Sequence, residues 1–518
     1  MNHGWRVGGY GEEAGADFPQ SVLGVSNVQL SDFNSRLGND WRHRFQLSSL
    51  PTAALPKLVR SDHSRKKDGQ MKIAIVGSGI SGLTAAHYLH RQHDVALFEA
   101  NDYLGGHTNT IEFELAGREY AIDTGFIVFN DRTYPNFCRL LNELGVSSKP
   151  TSMTFSVNCE ESGLEYRGAD FNGLFAQRAN ALNPKFLGLL WELLRFNRQA
   201  EQLLAAASDS MTVGEFFARH RFGRMFVEKY FLPMASAIWS CPHSTVEGFP
   251  IRFIADFYRN HGLLSTRNRP QWRVINGGSQ RYVEVLARPL ADCVRLNSPV
   301  TRVERTNDGI QIRTRGSQQP ETFDHLILAC HSDQALAILG ETASTTEREV
   351  LSGFPYEKNL AVLHTDTRLL PRSRRAWACW NYHIPASGSA SDQAAKATVT
   401  YNMNLLQGVV SPETFCVSLN CGDRIDPSRV IRSIVYHHPV FTAKRRENQR
   451  RHGELIGPNR TSFCGAYWGN GFHEDGVNSA LAVCRYLDRR TCSAASMPAE
   501  SDTADWKSQP TPFAIEST

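Results

Sequence analysis

One run constrains the fold of this chain more than any other. It is Met71-Lys72-Ile73-Ala74-Ile75-Val76-Gly77-Ser78-Gly79-Ile80-Ser81-Gly82, followed by Val95-Ala96-Leu97-Phe98-Glu99 and then Gly105-Gly106. Ile73 to Val76 is apolar at every position, as a strand covered on both faces of a parallel sheet must be. Gly77 permits the tight turn that follows, Gly79 lets the backbone approach a diphosphate, and Gly82 lets the next helix pack close to the strand. The start of that helix presents unpaired N–H groups where its dipole favours an anion. Glu99 follows Gly77 at close to the spacing of about 20 residues at which a carboxylate accepts ribose hydroxyls. Strand, turn, helix, second strand and acid all agree, which separates this run from a chance glycine turn. The expected unit is a parallel βαβ that binds a dinucleotide, with Gly77, Ser78, Gly79, Ile80, Ser81, Gly82, Glu99 and Ala100 as contact residues.

The glycine unit alone leaves NAD and FAD open. The segment Glu99-Ala100-Asn101-Asp102-Tyr103-Leu104-Gly105-Gly106-His107-Thr108 is similar to the second glycine motif of the flavin amine oxidase superfamily, which includes phytoene-type desaturases and protoporphyrinogen oxidases. The resemblance implies FAD rather than NAD alone, with Gly105, Gly106 and His107 along its chain. His107 stands where many members carry arginine. Further segments carry the same resemblance. Asp123 to Phe129 looks like the strand and loop beside the flavin ring, which would place Gly125, Phe126 and Ile127 there. Trp272 to Gly278 resembles the internal glycine-pair motif ahead of a helix, Tyr282 to Leu290. Ser298 to Val303 resembles the strand whose backbone meets adenine, at Val300. Phe323 to Cys330 is like the returning parallel strand, and Phe463 to Val477 is like the closing flavin motif, with Glu474, Asp475, Gly476 and Val477 at a helix start aimed at the ring. Leu363 to Asp366, Trp380 to His383 and Gly471 to Gly476 most resemble a bacterial-type group of NAD/FAD-binding oxidoreductases.

A chain of 518 residues is too long for one compact unit. The expected fold class is α/β, a Rossmann-like FAD-binding domain of parallel βαβ type interleaved with an α+β substrate-binding domain. The first would comprise residues 71–150, 291–345 and 455–488, and the second 151–290 and 346–454. Within the latter, Asn183-Pro184 opens a helix bearing Phe186, Leu189, Leu190, Leu193 and Leu194, and Thr212 with Glu215 opens another. Leu360 to His364, Trp377 to Tyr382, Ala397 to Met403 and Phe415 to Leu419 read as strands. Residues 1–70, glycine-rich and then basic, and 489–518, rich in Ser, Thr, Ala and Pro, read as a disordered extension and tail.

A net charge of +4 gives no argument for nucleic acid. Eleven cysteines without a CxxC pair exclude zinc ribbons and thioredoxin chemistry, and they suit a reducing, cytoplasmic setting. No metal is expected. No apolar run reaches the length of a spanning helix, and no secretory signal pattern opens the chain.

Flavin supplies its own hydride chemistry at N5, so no catalytic triad is required, and none is visible. The expected function is hydride transfer from a substrate C–H to N5, by amine oxidation or by desaturation, with a small molecule or a lipid chain as substrate. Candidates on the substrate side are Trp380, Tyr382, Trp468 and His473, with Lys358 as a position for a water-holding lysine by family resemblance. Cys464 precedes the glycine of its motif, unlike the cysteine of members that attach flavin covalently, so FAD is expected to be non-covalent. The basic run Lys444 to Arg451 and the apolar stripe Phe186 to Leu194 would make a peripheral membrane surface if they share a face. The alternative class is a non-catalytic binder resembling the Rab escort and GDP-dissociation-inhibitor proteins.

Overall fold

The computed structural model describes residues 69–205, 211–265, 269–386, 397–440, 442 and 444–492. The chain divides into Met1–Arg65 and Lys66–Thr518, and the described residues belong to the second unit. The expectations for residues 1–68 and 493–518 fall outside them. Along the chain come β1 (Lys72–Val76), α1 (Ile80–Leu89), β2 (Asp94–Phe98), α2 (Pro135–Glu143), α3 (Pro184–Ala205), α4 (Val213–His220) and α5 (Gln280–Ala287). Then follow β3 (Val294–Arg295), β4 (His325–Leu328), β5 (Thr461–Phe463) and α6 (His473–Cys492).

The five strands form one sheet in the order β3-β2-β1-β4-β5, parallel at every step. In β1, Ile73 lies opposite Val95 and His325, and Val76 opposite Phe98 and Leu328. Successive side chains of a strand point to opposite faces, so an all-apolar strand needs cover on both. Ile73 and Ile75 pack with Leu83 and Ala86 of α1 and with Val477, Ala480 and Val483 of α6. Ala74 and Val76 pack on the other face with Val303, Ile310 and Ile312 of a three-stranded antiparallel layer, Val300–Arg305, Ile310–Thr314 and Glu321–Phe323.

A seven-stranded sheet forms the second layer, in the spatial order Val430–Pro439, Tyr356–His364, Cys416–Leu419, Val399–Asn402, Trp380–Ile384, Phe155–Cys159 and Glu165–Arg167. It is antiparallel except where Trp380–Ile384 runs beside Phe155–Cys159. The strands read from residues 360–364, 377–382, 397–403 and 415–419 all lie in it. Helices cover part of it: Phe186 of α3 and Ala237 of the helix Leu232–Trp239 pack against Val157, Tyr382 and Val399.

Local sequence explains the helix starts. The Asn183 side-chain oxygen accepts the N–H of Lys185 at 3.0 Å. At α4, Thr212 Oγ1 accepts from Glu215 N–H while Glu215 accepts from Thr212 N–H, a reciprocal cap that contributes about 1 kcal/mol.

Three boundaries differ from the sequence reading. Ile275, Tyr282, Val283, Leu286 and Leu290, expected on the substrate side, share the core of β1 and α1. Val350, Leu351 and Phe354 likewise pack beneath the parallel sheet. Finally, α6 continues to Cys492, past the tail boundary at 489.

Candidate functional site

Gly77, at φ +102°, makes the turn out of β1, and its N–H donates to Phe98 O at 2.8 Å. A Cβ at this position would lie 3.0 Å from Ala329 O. Gly82 allows the closest approach in the unit, since a Cβ there would fall 1.9 Å from Gly77 O. Gly79 differs: a Cβ there would meet nothing within 4 Å. No side chain caps the start of α1, and its first turn carries no acid. The amide end of a buried helix therefore faces open space bordered by Gly106, whose own added Cβ would stand 3.3 Å from Gly79 Cα. An open, uncapped helix start of this form is one that a diphosphate can occupy.

Glu99, at the end of β2, is buried. Its Oε2 accepts both the N–H of Ser78 at 2.9 Å and the Ser78 hydroxyl at 2.6 Å. Its Oε1 accepts from Asn101 N–H and Nδ2. The segment leading to Val300 joins here, with Ser298 N–H donating to Glu99 O and Asn297 N–H to Asn101 O. Ala100 is exposed beside it. Glycine loop, acid and Val300 segment therefore form one connected unit.

A second helix start meets the first. A Cβ on Gly476 of α6 would lie 2.7 Å from Ile80 Cγ2 and 2.9 Å from Ser81 Oγ, so only glycine lets the two helix ends touch. The neighbouring carboxylates are engaged structurally. Glu474 accepts the N–H groups of Asn136 and Phe137 at the start of α2, and Asp475 accepts Phe472 N–H. Burial raises Asp475 to about 6. The N–H groups of Asp475 and Gly476 donate to Phe472 O at 3.0 and 3.2 Å. Val477 lies in the core against α1.

Gly125 brings the Phe126 segment onto His107: its added Cβ would be 2.1 Å from His107 O, and Phe126 N–H donates to that oxygen at 2.8 Å. Phe126 stacks on His473 at 3.4 Å between ring centroids, whereas Ile127 turns into the core of the second sheet. His473 Nε2 lies 2.9 Å from Thr108 Oγ1 and 3.0 Å from Tyr282 Oη. Burial holds this imidazole well below its ordinary range, so it is neutral at pH 7. Asp123 fixes the preceding strand: it accepts from Thr110 Oγ1, Ser279 N–H and Ser279 Oγ, and Gln407 Nε2.

The other substrate-side candidates are dispersed. Tyr382 is buried in the contact between second sheet and helices, with its hydroxyl 2.8 Å from His243 Nε2. Trp380 lies edge-on to Tyr401. Trp468 stacks on His452 at 4.2 Å and touches Phe354, a ring group separate from that of His473. Lys358 lies opposite His437 on the antiparallel pair Tyr356–His364 and Val430–Pro439 of the second sheet, two residues from Tyr356 and hence on the same side of the strand. Tyr356 stacks on His331.

Sequence reasoning missed a ring cluster around His107. Tyr436 stacks on it at 5.0 Å, with His438 at 5.4 Å and His331 at 5.8 Å. Burial lowers His107 to about 4, and His331 and His438 to about 3. His107 is therefore uncharged at pH 7. The adjacent pair His437-His438 was the visible signal, but only strand pairing brings it to the glycine loop.

The fold and site define a doubly covered parallel α/β nucleotide-binding domain joined to a mixed sheet-and-helix domain. The family model for flavin containing amine oxidoreductase matches residues 80–366. The chain belongs to that family, whose cofactor is FAD. Among relatives, the flavin-containing amine oxidase of Oncorhynchus mykiss is 26% identical over 47% of this chain and 47% of its own. The flavin-containing amine oxidase A of Canis lupus familiaris is 27% identical over 52% of this chain and 50% of its own. The chain spans about half the length of the curated relatives it matches. Among solved structures, cyclohexylamine oxidase from Brevibacterium oxydans superposes with a TM-score of 0.57 at 18% identity, covering 81% of this chain and 100% of that one. A fatty acid isomerase from P. acnes gives 0.54 at 15%, covering 83% and 100%. At these identities the likeness concerns the fold. None of these relatives supports the non-catalytic escort-type reading.

Proposed function

We propose that this protein is an FAD-dependent oxidoreductase that removes a hydride from a substrate C–H bond, yielding an imine, a ketone or a new C=C. The observation that carries the reading is the open, uncapped amide end of α1 at Gly79, bordered by Gly106 and flanked by the buried Glu99. The residues present fit the dinucleotide: Gly77, Ser78, Gly79, Ile80, Ser81 and Gly82 would hold its diphosphate, Glu99 its ribose, and Gly105, Gly106, Gly125 and Gly476 the close backbone approaches. FAD bound there supplies a two-electron acceptor at N5.

The chain's own groups do the rest. The uncapped start of α1 would offer N–H donors to negative charge on the cofactor. His107, His331, His438 and His473 are neutral at pH 7 and surround the site with polar but uncharged rings. Phe126 stacks on His473 and covers one face of that ring. The solved relatives include amine oxidases and a fatty acid isomerase, which supports amines and unsaturated acyl chains as the two substrate classes to test.

The test is anaerobic photometry of the purified yellow protein against amines, unsaturated acyl lipids and polyenes. Bleaching by one class names the reaction. A protein that takes up no flavin on reconstitution overturns the proposal.

A further inference from the structure

Just past the end of the strand Tyr356–His364 lies a cavity of about 570 Å³ whose lining includes Arg368, Arg372, Arg374, Trp377, Glu413 and Arg429. That volume falls within the range of roughly 300–1,000 Å³ typical of small-molecule sites. Tyr356, at the other end of the same strand, stacks on His331 of the ring cluster around His107. A strand rises about 3.3 Å per residue, so the cavity stands about 25 Å from that cluster. It is a separate site.

Its walls are fixed from behind. Buried Glu165 accepts the N–H groups of Arg372 and Ser373 at 2.8 and 2.9 Å. Trp377 Nε1 donates to Pro371 O at 2.8 Å, and Arg167 Nη1 donates to Trp377 O at 3.2 Å. The Arg374 guanidinium lies 5.3 Å from the centre of the Trp377 ring, a cation–π contact.

The acidic groups around the cavity are largely committed elsewhere. Buried Asp366 clamps Arg368 and also accepts Asp426 N–H. Asp426 is within electrostatic reach of Arg368 and Arg429, and its Oδ1 accepts the N–H and hydroxyl of Ser428. Asp170 pairs with Arg167. Glu413 is the one acid of the lining among the described residues. Arg372 and Arg374 are exposed and pair with no carboxylate among the described residues, so their N–H donors are available. The basic run at 444–451, expected as part of a membrane surface, differs. There Arg445 is buried against Phe253, Arg446 pairs with Asp256, and Arg451 pairs with Glu349 and Glu454.

We propose that this cavity binds a phosphorylated small molecule, with Arg372 and Arg374 as its principal donors and Arg368 and Arg429 completing the positive wall. A guanidinium presents a planar fork of donors that matches phosphate oxygens. Two such forks on one backbone-fixed segment lose little freedom on binding. Four arginines against one glutamate in the lining select an anion, and the volume admits one larger than a single phosphate. The inference stands apart from the redox reading.

The test is isothermal titration of the full-length, flavin-loaded protein with inorganic pyrophosphate at low salt, with citrate as the carboxylate control. Bound FAD keeps pyrophosphate out of the cofactor's own crevice. The expected result is saturable binding of one equivalent, weakened about tenfold in Arg372→Gln/Arg374→Gln, with much weaker binding of citrate. Melting and flavin absorbance of this variant should match the parent, because neither guanidinium carries an ion pair. Should it melt lower, Arg372→Lys/Arg374→Lys keeps the charge without the fork and should show the same loss. Arg375→Gln, exposed but outside the lining, should bind pyrophosphate as the parent does. Absence of saturable binding overturns the proposal, as does undiminished affinity in both double variants. Citrate bound as tightly as pyrophosphate also overturns it, because a polycarboxylate would then be the ligand.

Discussion

Ser78 donates two hydrogen bonds, from its backbone N–H and its hydroxyl, to the same oxygen of Glu99, which lies 21 positions along the chain. The pair ties the glycine loop to the end of β2 before any nucleotide binds. The other carboxylate oxygen holds Asn101, so the acid is fixed from both sides.

Glu99→Gln keeps the shape of that side chain but weakens charge-assisted bonds contributing about 1.5–3 kcal/mol. The expected outcome is a lower melting temperature of the flavin-free protein, because the Ser78 and Asn101 bonds are made without the cofactor, together with a fall of about tenfold to a hundredfold in FAD affinity. Fluorescence titration of FAD and thermal melting of the same preparation measure the two effects separately.

Gly79 and Gly82 separate binding from folding. A Cβ at Gly79 enters open space, whereas one at Gly82 collides with Gly77 O at 1.9 Å. Gly79→Ala should therefore melt like the parent yet fail to retain flavin. Gly82→Ala should lose several degrees of melting temperature or yield insoluble protein. Equal flavin retention by Gly79→Ala and the parent would remove the diphosphate from this crevice.

Cys464 is fully buried, and burial pushes its thiol well above the ordinary range, so it is not a thiolate nucleophile. Acid precipitation is expected to leave the yellow colour in the supernatant, and Cys464→Ala to retain flavin. Colour pelleting with the parent but not with the variant would reverse the assignment of non-covalent FAD.

The buried imidazoles set the acid limit of stability. His107, His243, His261, His364, His383 and His452 are lowered to about 4, and His331 and His438 to about 3, in each case chiefly by burial. A group with a lowered folded value takes up its proton more readily when unfolded. Its stabilising contribution is complete above the unfolded value near 6.5 and is lost as pH falls toward the folded value. Asp123 and Asp475, raised to about 6, act in the opposite direction between about 6 and 3.8, but they are two against eight. Melting temperature should fall by roughly 5 °C or more between pH 7 and pH 5. His438→Asn should flatten that slope, and a melting temperature that rises on acidification would contradict the account.

The glycine unit was legible in the sequence because each of its requirements is local. Strand polarity, turn geometry and close helix packing are each fixed by one residue at one spacing, as at Gly77 and Gly82. Helix starts at Asn183 and Thr212 were legible for the same reason, since a cap joins residues two or three apart. Trp468 shows the limit. Its place beside the closing glycines pointed to the flavin, but it stacks on His452, which is brought close by packing alone.

The sequence by itself determined that a dinucleotide crevice forms, which acid flanks it and which family signature it carries, because these properties reside in short contiguous runs. Only the tertiary structure decided that residues 275–290 join the nucleotide core, that His331, Tyr436 and His438 gather around His107, and that Arg445 is buried. Those outcomes depend on strand register and helix packing between segments hundreds of residues apart. Burial, which sets both the charge of a histidine and the availability of an arginine, exists only once such segments meet.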